Sequence, residues 1–214
     1  DIRLGNEVVS TSFDLSDWDV VAVATGARWS GIGYSPYRPE REGIPGAEQG
    51  NVIDLGTAIR LAVADPSSLG SRVLILDETA GYLPLGLAEL LADGGIESIE
   101  VVTPQLLVGE DTMKSLDMVY LFPRLADKGV ALTSQHFVEK IDGNDVELYD
   151  VWGGPRREIN VDTLVLSQFK EPNDALFQSI RHNSSVDIHR IGDCVAPRKP
   201  AAVIYEGEQF GREI

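Results

Sequence analysis

The chain has 214 residues, 43% of them hydrophobic, which is enough to bury the core of one large or two small domains. Its 34 Asp and Glu residues exceed its 18 Lys and Arg residues, and the resulting net charge of -16 excludes a protein that holds nucleic-acid phosphates with clustered cations. A single cysteine excludes an internal disulfide and an iron-sulfur site built by this chain alone, and without a membrane-length apolar run or a signal-peptide pattern we expect a cytoplasmic protein.

The first third of the chain predicts strands and one helix around a long loop. Residues 2–9 read as a strand with its turn, and residues 13–18 as a short helical segment. Residues 20–24 are five small or β-branched apolar residues, which is typical of a parallel strand covered on both faces. Residues 29–50 are rich in Gly and Pro and show no period, so we predict a loop there, and residues 54–64 then predict a helix.

The middle of the chain predicts a βαβ unit. Residues 73–77 read as a buried strand, and the leucines that follow make one helix face that Gly94 and Gly95 end. The next strand is predicted at residues 99–103, and the right-handed crossover rule places both strands in one parallel sheet. A further helix is predicted at residues 118–128.

Four short strands are predicted after that helix, separated by Gly-containing turns that indicate an antiparallel meander. They cover residues 130–133, 136–141, 145–151 and 157–161. Residues 161–167 are apolar again and are predicted to return to the parallel sheet.

The turn at residues 77–82 decides whether a dinucleotide can bind after the first strand of the βαβ unit. Such a turn needs the pattern G-x-G-x-x-G, so that bare backbone can approach the pyrophosphate. Only Gly81 is present, whereas Asp77 and Glu78 would repel a pyrophosphate by on the order of 1 kcal/mol or more per close pair. We predict that NAD(P) does not bind here in the usual way; binding through other contacts is the alternative.

The C-terminal segment predicts a strand, a turn and a helix. Residues 186–191 alternate apolar and polar side chains, Gly192 and Asp193 end the strand, and Pro200 suits the first turn of a helix. A carboxylate beside a helix N-terminus can bind a hydroxylated chain and the edge of an electron-rich ring, or Asp193 is an ordinary capping residue. Cys194 fits a buried small side chain, since a redox-active thiol would need a partner that this chain does not offer.

Motifs along nearly the whole chain resemble the C-terminal part of the trimethylamine dehydrogenase and 2,4-dienoyl-CoA reductase family, also called NADH:flavin oxidoreductases. The resemblance implies an α/β fold: a glutathione-reductase-like, Rossmann-type nucleotide-binding domain with an inserted β-meander, plus part of a second such domain. Residues 1–66 and 168–214 would form a partial FAD- or ADP-binding domain, and residues 67–167 an inserted NAD(P)-binding-like domain. The motifs are Ile2–Gly5, Val20–Trp29, Ile44–Gly46, Val73–Asp77, Ala88–Ala92, Val101–Pro104 and Ile191–Cys194.

The family pattern also implies cofactors. An FMN-bearing barrel with a 4Fe-4S cluster would precede this segment, and FAD or ADP would bind to the first domain. The cofactor-binding residues would be those at two strand ends, namely Thr25, Gly26, Gly192, Asp193 and Cys194, although Gly26 could equally be a simple turn glycine. We expect no catalytic residue and no metal site in this chain, because its three histidines are scattered.

Three functions remain open at this point. The chain resembles most the segment of an amine dehydrogenase or demethylase of the trimethylamine dehydrogenase type, with a structural or electron-relay role, and the fragment alone would be inactive. An NAD(P)H-dependent flavin reductase of the 2,4-dienoyl-CoA reductase type is the first alternative, and a cofactor-free scaffold domain is the second. The expected partners are the barrel region of the same polypeptide, an electron-transfer protein and a second copy of the chain.

Overall fold

The computed structural model describes residues 1–9, 14–182 and 186–214. The chain divides into two compact units, one made of Asp1–Arg28 with Lys170–Ile214 and the other of Trp29–Phe169. The first division therefore falls after residue 28, whereas the sequence placed a boundary at residue 66. The assignment of two nucleotide-binding-type domains to residues 1–66 with 168–214 and to residues 67–167 stays a prediction.

The regular elements of the described residues are numbered here in chain order. The strands are β1 (Val20–Val23), β2 (Ala27–Trp29), β3 (Val52–Asp54), β4 (Arg72–Asp77), β5 (Ser98–Val102), β6 (Ala131–Thr133), β7 (His136–Asp142), β8 (Asp145–Asp150), β9 (Arg157–Asn160), β10 (Thr163–Ser167), β11 (Lys170–Pro172) and β12 (Asp187–Arg190). The helices are α1 (Leu55–Ala64), α2 (Tyr82–Asp93), α3 (Thr112–Ser115), α4 (Met118–Asp127), α5 (Ala175–Ile180) and α6 (Pro200–Glu213). Short 3₁₀ turns lie at Leu15–Asp17, Pro66–Leu69 and Gly192–Cys194.

The second unit is built on a five-stranded parallel sheet in the order β3-β10-β4-β5-β6. This arrangement confirms the predicted α/β class with a Rossmann-type sheet. It corrects one assignment: residues 131–133 were expected in the antiparallel meander, but β6 pairs in parallel with β5 and forms an edge of the sheet. The strand β3 was not predicted, since its three residues carry too short a pattern to be recognised.

Both faces of this sheet are covered, which explains why β4 reads as an unbroken apolar run. Ile75 faces one core together with α1, α2 and α4, whereas Leu74 and Leu76 face a second core beneath the meander. Each such fully buried side chain contributes about 1.5–3 kcal/mol relative to an exposed one.

The meander consists of β7, β8 and β9, paired antiparallel. A tight turn joins β7 to β8 between Asp142 and Asp145, and Gly143 supplies its positive φ of 60°. The inserted meander was therefore predicted correctly, with three strands rather than four.

The ends of α1 and α2 are set by capping residues that flank each helix. Asp54 caps α1, because its Oδ1 accepts a hydrogen bond from the backbone N–H of Thr57 at 3.0 Å. Gly94 and Gly95 follow α2 as predicted, and Gly95 has a φ of 81°, a conformation that favours glycine.

In the first unit, β1 and β12 form a parallel pair in which Val23 lies opposite Arg190. The predicted strand at residues 2–9 is wrong: those residues are exposed and form a turn and irregular backbone rather than a strand. Coverage of β1 on both faces is also wrong, since Val23 is buried but Ala22 is exposed. The predicted helical segment at 13–18 is a 3₁₀ turn at Leu15–Asp17, and Phe13 lies outside the described residues. None of the helices in the described ranges has both the length and the apolarity needed to cross a bilayer.

Candidate functional site

The strands β4 and β10 lie side by side in the second unit, with Asp77 paired to Ser167 at their last residues. The chain leaves β4 toward β5 and β6 on one side, whereas β10 and β3 occupy the other. This is the point where the strand order reverses, and open α/β sheets bind their ligands there, outside the carboxyl ends of the strands. The residues just after β4 and β10 therefore make the natural candidate site.

Asp77 closes the turn after β4 from the inside. Its side chain is buried, and its Oδ1 accepts hydrogen bonds from the backbone N–H of Thr79 at 2.9 Å, the hydroxyl of Thr79 at 2.8 Å and the backbone N–H of Ala80 at 3.1 Å. Ala80 has a φ of 56°, the left-handed conformation that glycine adopts more readily. Two amides that could donate to a phosphate are thus occupied by the protein's own carboxylate.

Glu78 closes the other side of the same strand end. Its Oε2 accepts from the Ser35 hydroxyl at 2.5 Å, and its Oε1 accepts from Nε2 of Gln168 at 2.5 Å. Gln168 is fully buried and also donates to the Tyr34 carbonyl at 2.9 Å. A loop residue and the residue after β10 therefore meet on one carboxyl group, at the place where a dinucleotide would have to enter.

The two carboxyl groups are held out of water. Burial raises the pKa of the Asp77 carboxyl to about 6, against the smaller opposing effect of its hydrogen bonds from Thr79 and Ala80. Burial likewise raises the pKa of Glu78 to about 7, while the hydrogen bonds from Ser35 and Gln168 lower it and the charge of Asp77 raises it. Across the described part of the chain, neither carboxylate forms an ion pair with a Lys or Arg.

Three buried polar oxygens around this strand end have no hydrogen-bond partner among the described residues: Oδ2 of Asp77, Oε1 of Gln105 and Oε1 of Gln168. The amide of Gly109 slightly lowers the pKa of Asp77 but does not reach hydrogen-bonding geometry with Oδ2. All three atoms are acceptors, so the site would repel a further anionic oxygen. That NAD(P) does not bind at this turn in the usual way stays a prediction.

Sequence reasoning identified Asp77 and Glu78 but missed Ser35 and Gln168. The loop that holds Ser35 has no periodic pattern, and nothing local indicates that it returns to the sheet edge. Gln168 directly follows β10, but no local pattern indicates that its side chain contacts Glu78.

In the first unit, Thr25 and Gly26 follow β1, and the Thr25 hydroxyl donates to the Asn173 carbonyl. The backbone N–H of Asn173 donates to the Gly26 carbonyl at 2.9 Å, and Gly26 has a φ of 73°. Thr25 and Asn173 line a cleft of about 640 Å³. The remaining residues of that cleft are Asn6, Glu7, Val8, Val9, Ala175, Leu176 and Ser179.

The other three predicted cofactor residues, Gly192, Asp193 and Cys194, form one 3₁₀ turn after β12. Since β1 and β12 run parallel in register, this turn and the Thr25–Gly26 pair lie at the same edge of the two-stranded sheet. Asp193 accepts from the backbone N–H of Arg198 at 3.0 Å through one oxygen, and Cys194 is buried and unpaired as a thiol. The structure thus brings the five residues to one edge, and their cofactor role stays a prediction.

A carboxylate that sequence reasoning missed supports this turn. Glu206 of α6 accepts from the backbone N–H of Gly192 at 2.7 Å and pairs with the guanidinium of Arg198. Arg198 in turn donates to the Gly192 carbonyl at 3.1 Å. The spacing from Gly192 to Glu206 crosses a turn and half a helix, so no local pattern could indicate it.

Comparison with known proteins gives a consistent set of relatives. Residues 61–165 match the family model described as the OYE-like second alpha/beta domain. The N,N-dimethylglycine/sarcosine dehydrogenase of Chromohalobacter salexigens is 27% identical in an alignment 240 residues long, which takes in 96% of this chain and 33% of that protein. This chain therefore spans about a third of the length of that relative.

Solved structures agree with that result. The 6-hydroxypseudooxynicotine amine oxidase of Pseudomonas geniculata N1 superposes with a TM-score of 0.81 at 27% identity, over 90% of this chain and 28% of that one. The histamine dehydrogenase of Rhizobium sp. 4-9 gives a TM-score of 0.79 at 25% identity, over 92% of this chain and 30% of that one. A thioredoxin reductase of T. acidophilum, at 12% identity and a TM-score of 0.61, shares the fold alone.

Proposed function

We propose that this chain, which carries an OYE-like second alpha/beta domain at residues 61–165 and resembles the trimethylamine dehydrogenase and 2,4-dienoyl-CoA reductase family, is the nucleotide-domain segment of a flavin-dependent amine dehydrogenase. The similarity to flavin-dependent oxidoreductases does not specify a substrate class. The proposal adds that the substrate is an amine. It is supported by the names of the relatives, which are dehydrogenases of N,N-dimethylglycine, sarcosine and histamine and an amine oxidase.

The closed strand end of the second unit carries the proposal. Asp77 occupies the amides of Thr79 and Ala80, and Glu78 binds Ser35 and Gln168 where a nicotinamide dinucleotide would enter. An enzyme that took hydride from NAD(P)H would need this edge open, with bare backbone facing the pyrophosphate. We therefore assign to this unit a structural or electron-relay role, with electrons that come from an amine and leave to a protein acceptor.

The first unit is the proposed place for FAD or ADP. Thr25 and Gly26 would face the adenine and pyrophosphate side, and Gly192, Asp193 and Cys194 would face the flavin or ribose side. The residues fit such a group in two respects: both glycines have positive φ, so backbone can approach a ligand, and among the described residues the second carboxylate oxygen of Asp193 has no hydrogen-bond donor, so it can accept from a hydroxyl. When bound, the nucleotide would supply affinity and, as FAD, a redox-active ring.

The reacting centre lies, in this proposal, outside these residues. A barrel region of the same polypeptide would hold FMN and a 4Fe-4S cluster, for which this chain with its single cysteine offers no ligand set. The chain taken alone would be inactive. The complete protein would be a homodimer in the cytoplasm and would pass electrons to a soluble carrier protein.

The test uses the complete natural polypeptide, purified with its cofactors. We expect visible flavin absorbance that bleaches anaerobically on addition of sarcosine, N,N-dimethylglycine or histamine, and that does not bleach on addition of NADH or NADPH. Stoichiometric bleaching by NADPH would contradict the proposal and favour the flavin reductase alternative. A colourless product would favour a scaffold.

A variant of Glu78 tests whether the charge of this side chain or the space that it fills prevents NADPH from binding at the end of β4. Glu78→Gln keeps the side chain and removes its charge, so NADPH should still fail to bind because the bonds with Ser35 and Gln168 still fill the edge. Calorimetric titration of wild type and variant with NADPH measures this. Tight binding to either protein would show that the edge is not closed.

A further inference from the structure

A second cleft lies in the unit Trp29–Phe169, on the side of the meander, and the proposed function does not use it. Its volume is about 410 Å³. It is lined by Tyr37, Arg38, Pro104, Phe137, Tyr149, Val151 and Trp152. Four of these seven residues are aromatic, and Arg38 is the one that carries a charge.

The aromatic rings form an ordered wall with open faces at the rim. Phe137 and Tyr149 pack edge to face with centroids 6.1 Å apart, and the Arg38 guanidinium stacks 5.4 Å from the centroid of Tyr149. Tyr37 and Trp152 stand at the rim, with 50% and 74% of their surfaces exposed. Exposed rings beside a buried aromatic floor suit a flat partner that stacks on them.

The guanidinium of Arg38 is fixed in place but not saturated. Its Nε donates to Glu40 at 2.6 Å, and its Nη1 donates to Tyr149 at 2.8 Å and to Glu139 at 3.2 Å. Within the described ranges no acceptor lies on Nη2. The bonds to Tyr149 and Glu40 raise the pKa of Arg38, so the group stays charged at every physiological pH.

The charges beside the cleft are mixed: Arg38 also pairs with Glu40, and Arg156 with Glu147. Arg38, Arg41 and Arg156 all approach the single carboxylate of Glu139, at 3.2, 2.9 and 3.5 Å. Arg38 lies between Glu40 and Glu139, and what it offers a ligand is Nη2, the guanidinium nitrogen that has no acceptor within the described ranges. The cleft therefore combines stacking surface with one unsatisfied cationic donor.

We propose that this cleft binds a flat aromatic ligand that bears one anionic oxygen group. The ring packs against the wall of Tyr149 and Trp152, and the anionic oxygen accepts from Nη2 of Arg38. An aromatic carboxylate and a nucleoside monophosphate share this chemistry, and the test distinguishes them. The inference does not require the proposed amine oxidation, because no lining residue of the cleft has a role there, although the cleft adjoins the strand end: the backbone N–H of Tyr37 donates to Oγ of Ser35 at 3.1 Å.

The experiment titrates the complete natural polypeptide with 2-naphthoate, with its uncharged analogue 2-naphthamide, and with AMP, and follows tryptophan fluorescence. We expect 2-naphthoate or AMP to bind at least about tenfold more tightly than 2-naphthamide, as a charge-assisted hydrogen bond predicts. The anion that binds identifies the source. Equal binding of acid and amide, or no binding of any probe, would overturn the proposal.

Variants locate the site and control for folding. Arg38→Met should abolish the preference for the anion, whereas Arg41→Met, which also removes a guanidinium from Glu139, should keep it. Measured by calorimetric titration, which does not depend on the tryptophans removed, Trp152→Ala at an exposed turn should weaken every probe about tenfold, and Trp18→Ala in the other unit should weaken none. Equal losses in the Arg38 and Arg41 variants, or binding that survives Trp152→Ala, would contradict the assignment.

Discussion

At the scale of single residues, Asp77 and Glu78 couple folding to protons. Both carboxyl groups have folded-state pKa values, about 6 and about 7, above the ordinary values of 3.8 and 4.5. At pH values between the ordinary and the folded-state pKa values, the folded protein therefore binds more protons than the unfolded chain. Stability from this source is fully present at low pH and is lost as the pH rises through the folded pKa values. Above the folded-state pKa values, ionisation of these two buried carboxyl groups therefore lowers the free energy of unfolding.

Glu78→Gln is predicted to remove part of that cost. From pH 5 to pH 8 the wild-type free energy of unfolding should fall, with the share of Glu78 on the order of 2–3 kcal/mol. The glutamine variant cannot ionise, so its profile should be flatter and its stability at pH 8 higher. Denaturant unfolding at a series of pH values measures both quantities, and a variant profile as steep as that of wild type would contradict the prediction.

Glu139→Gln provides a matched control with the opposite sign. The hydrogen bond from Arg41, more than that from Arg38, holds the pKa of Glu139 below its usual value, against the effect of burial. This carboxylate therefore contributes stability that is present above its unfolded pKa and is lost on acidification. Its amide variant should be less stable at pH 8 and should keep the wild-type fall between pH 5 and pH 8.

At the scale of elements, the loop of residues 29–50 is seated on β7 of the meander. The Pro45 carbonyl accepts from the backbone N–H of Ile141 at 2.9 Å, and the Gln49 side-chain amide donates to the Ile141 carbonyl at 3.0 Å. Gly46 lies between them with a φ of 89°, and a Cβ there would lie 2.2 Å from the Ile141 carbonyl oxygen. Backbone cannot move aside as a side-chain end can, so only glycine fits.

Gly46→Ala is therefore predicted to cost more stability than Gly95→Ala. Gly95 also has a positive φ, 81°, but a Cβ there meets nothing within 4 Å, so its variant should lose only about 1–2 kcal/mol from backbone strain. The Gly46 variant should lose a further 1–3 kcal/mol or so from overpacking. Thermal unfolding of the two variants measures the difference, and equal losses would show that the loop is not held against β7.

At the same scale, local sequence patterns predicted some elements and missed others. The strand β4, the helix α2 and its Gly94 end were predicted because each is decided by residues adjacent in sequence. The partner of β6 was not, since three residues do not specify which strand they join. The closure of the site was half predictable: Glu78 is visible in its own turn, but Ser35 lies 43 residues away and Gln168 lies 90 away. Contacts at such separations depend on the whole topology.

At the scale of the whole molecule, the net charge of -16 acts as a source of self-repulsion. Some acids are locally neutralised, as Glu89 is by Arg124 and Lys128. The 18 basic residues cannot neutralise 34 acids, so unpaired carboxylates crowd the compact state more than the expanded one. Added salt should relieve this repulsion, because exposed charges are screened within a Debye length of about 8–10 Å near physiological ionic strength.

We therefore predict that raising NaCl from about 0.05 M to about 0.5 M increases the free energy of unfolding by on the order of 1 kcal/mol or more. KCl at equal ionic strength should give the same gain, since screening does not depend on which monovalent ion is present. Glu42→Lys, at an exposed loop position, lowers the net negative charge and should reduce the gain. Denaturation by urea, which leaves ionic strength unchanged, measures the effect. A stability that falls with salt would show that attractive ion pairs such as Glu89 with Arg124 outweigh the excess of like charge.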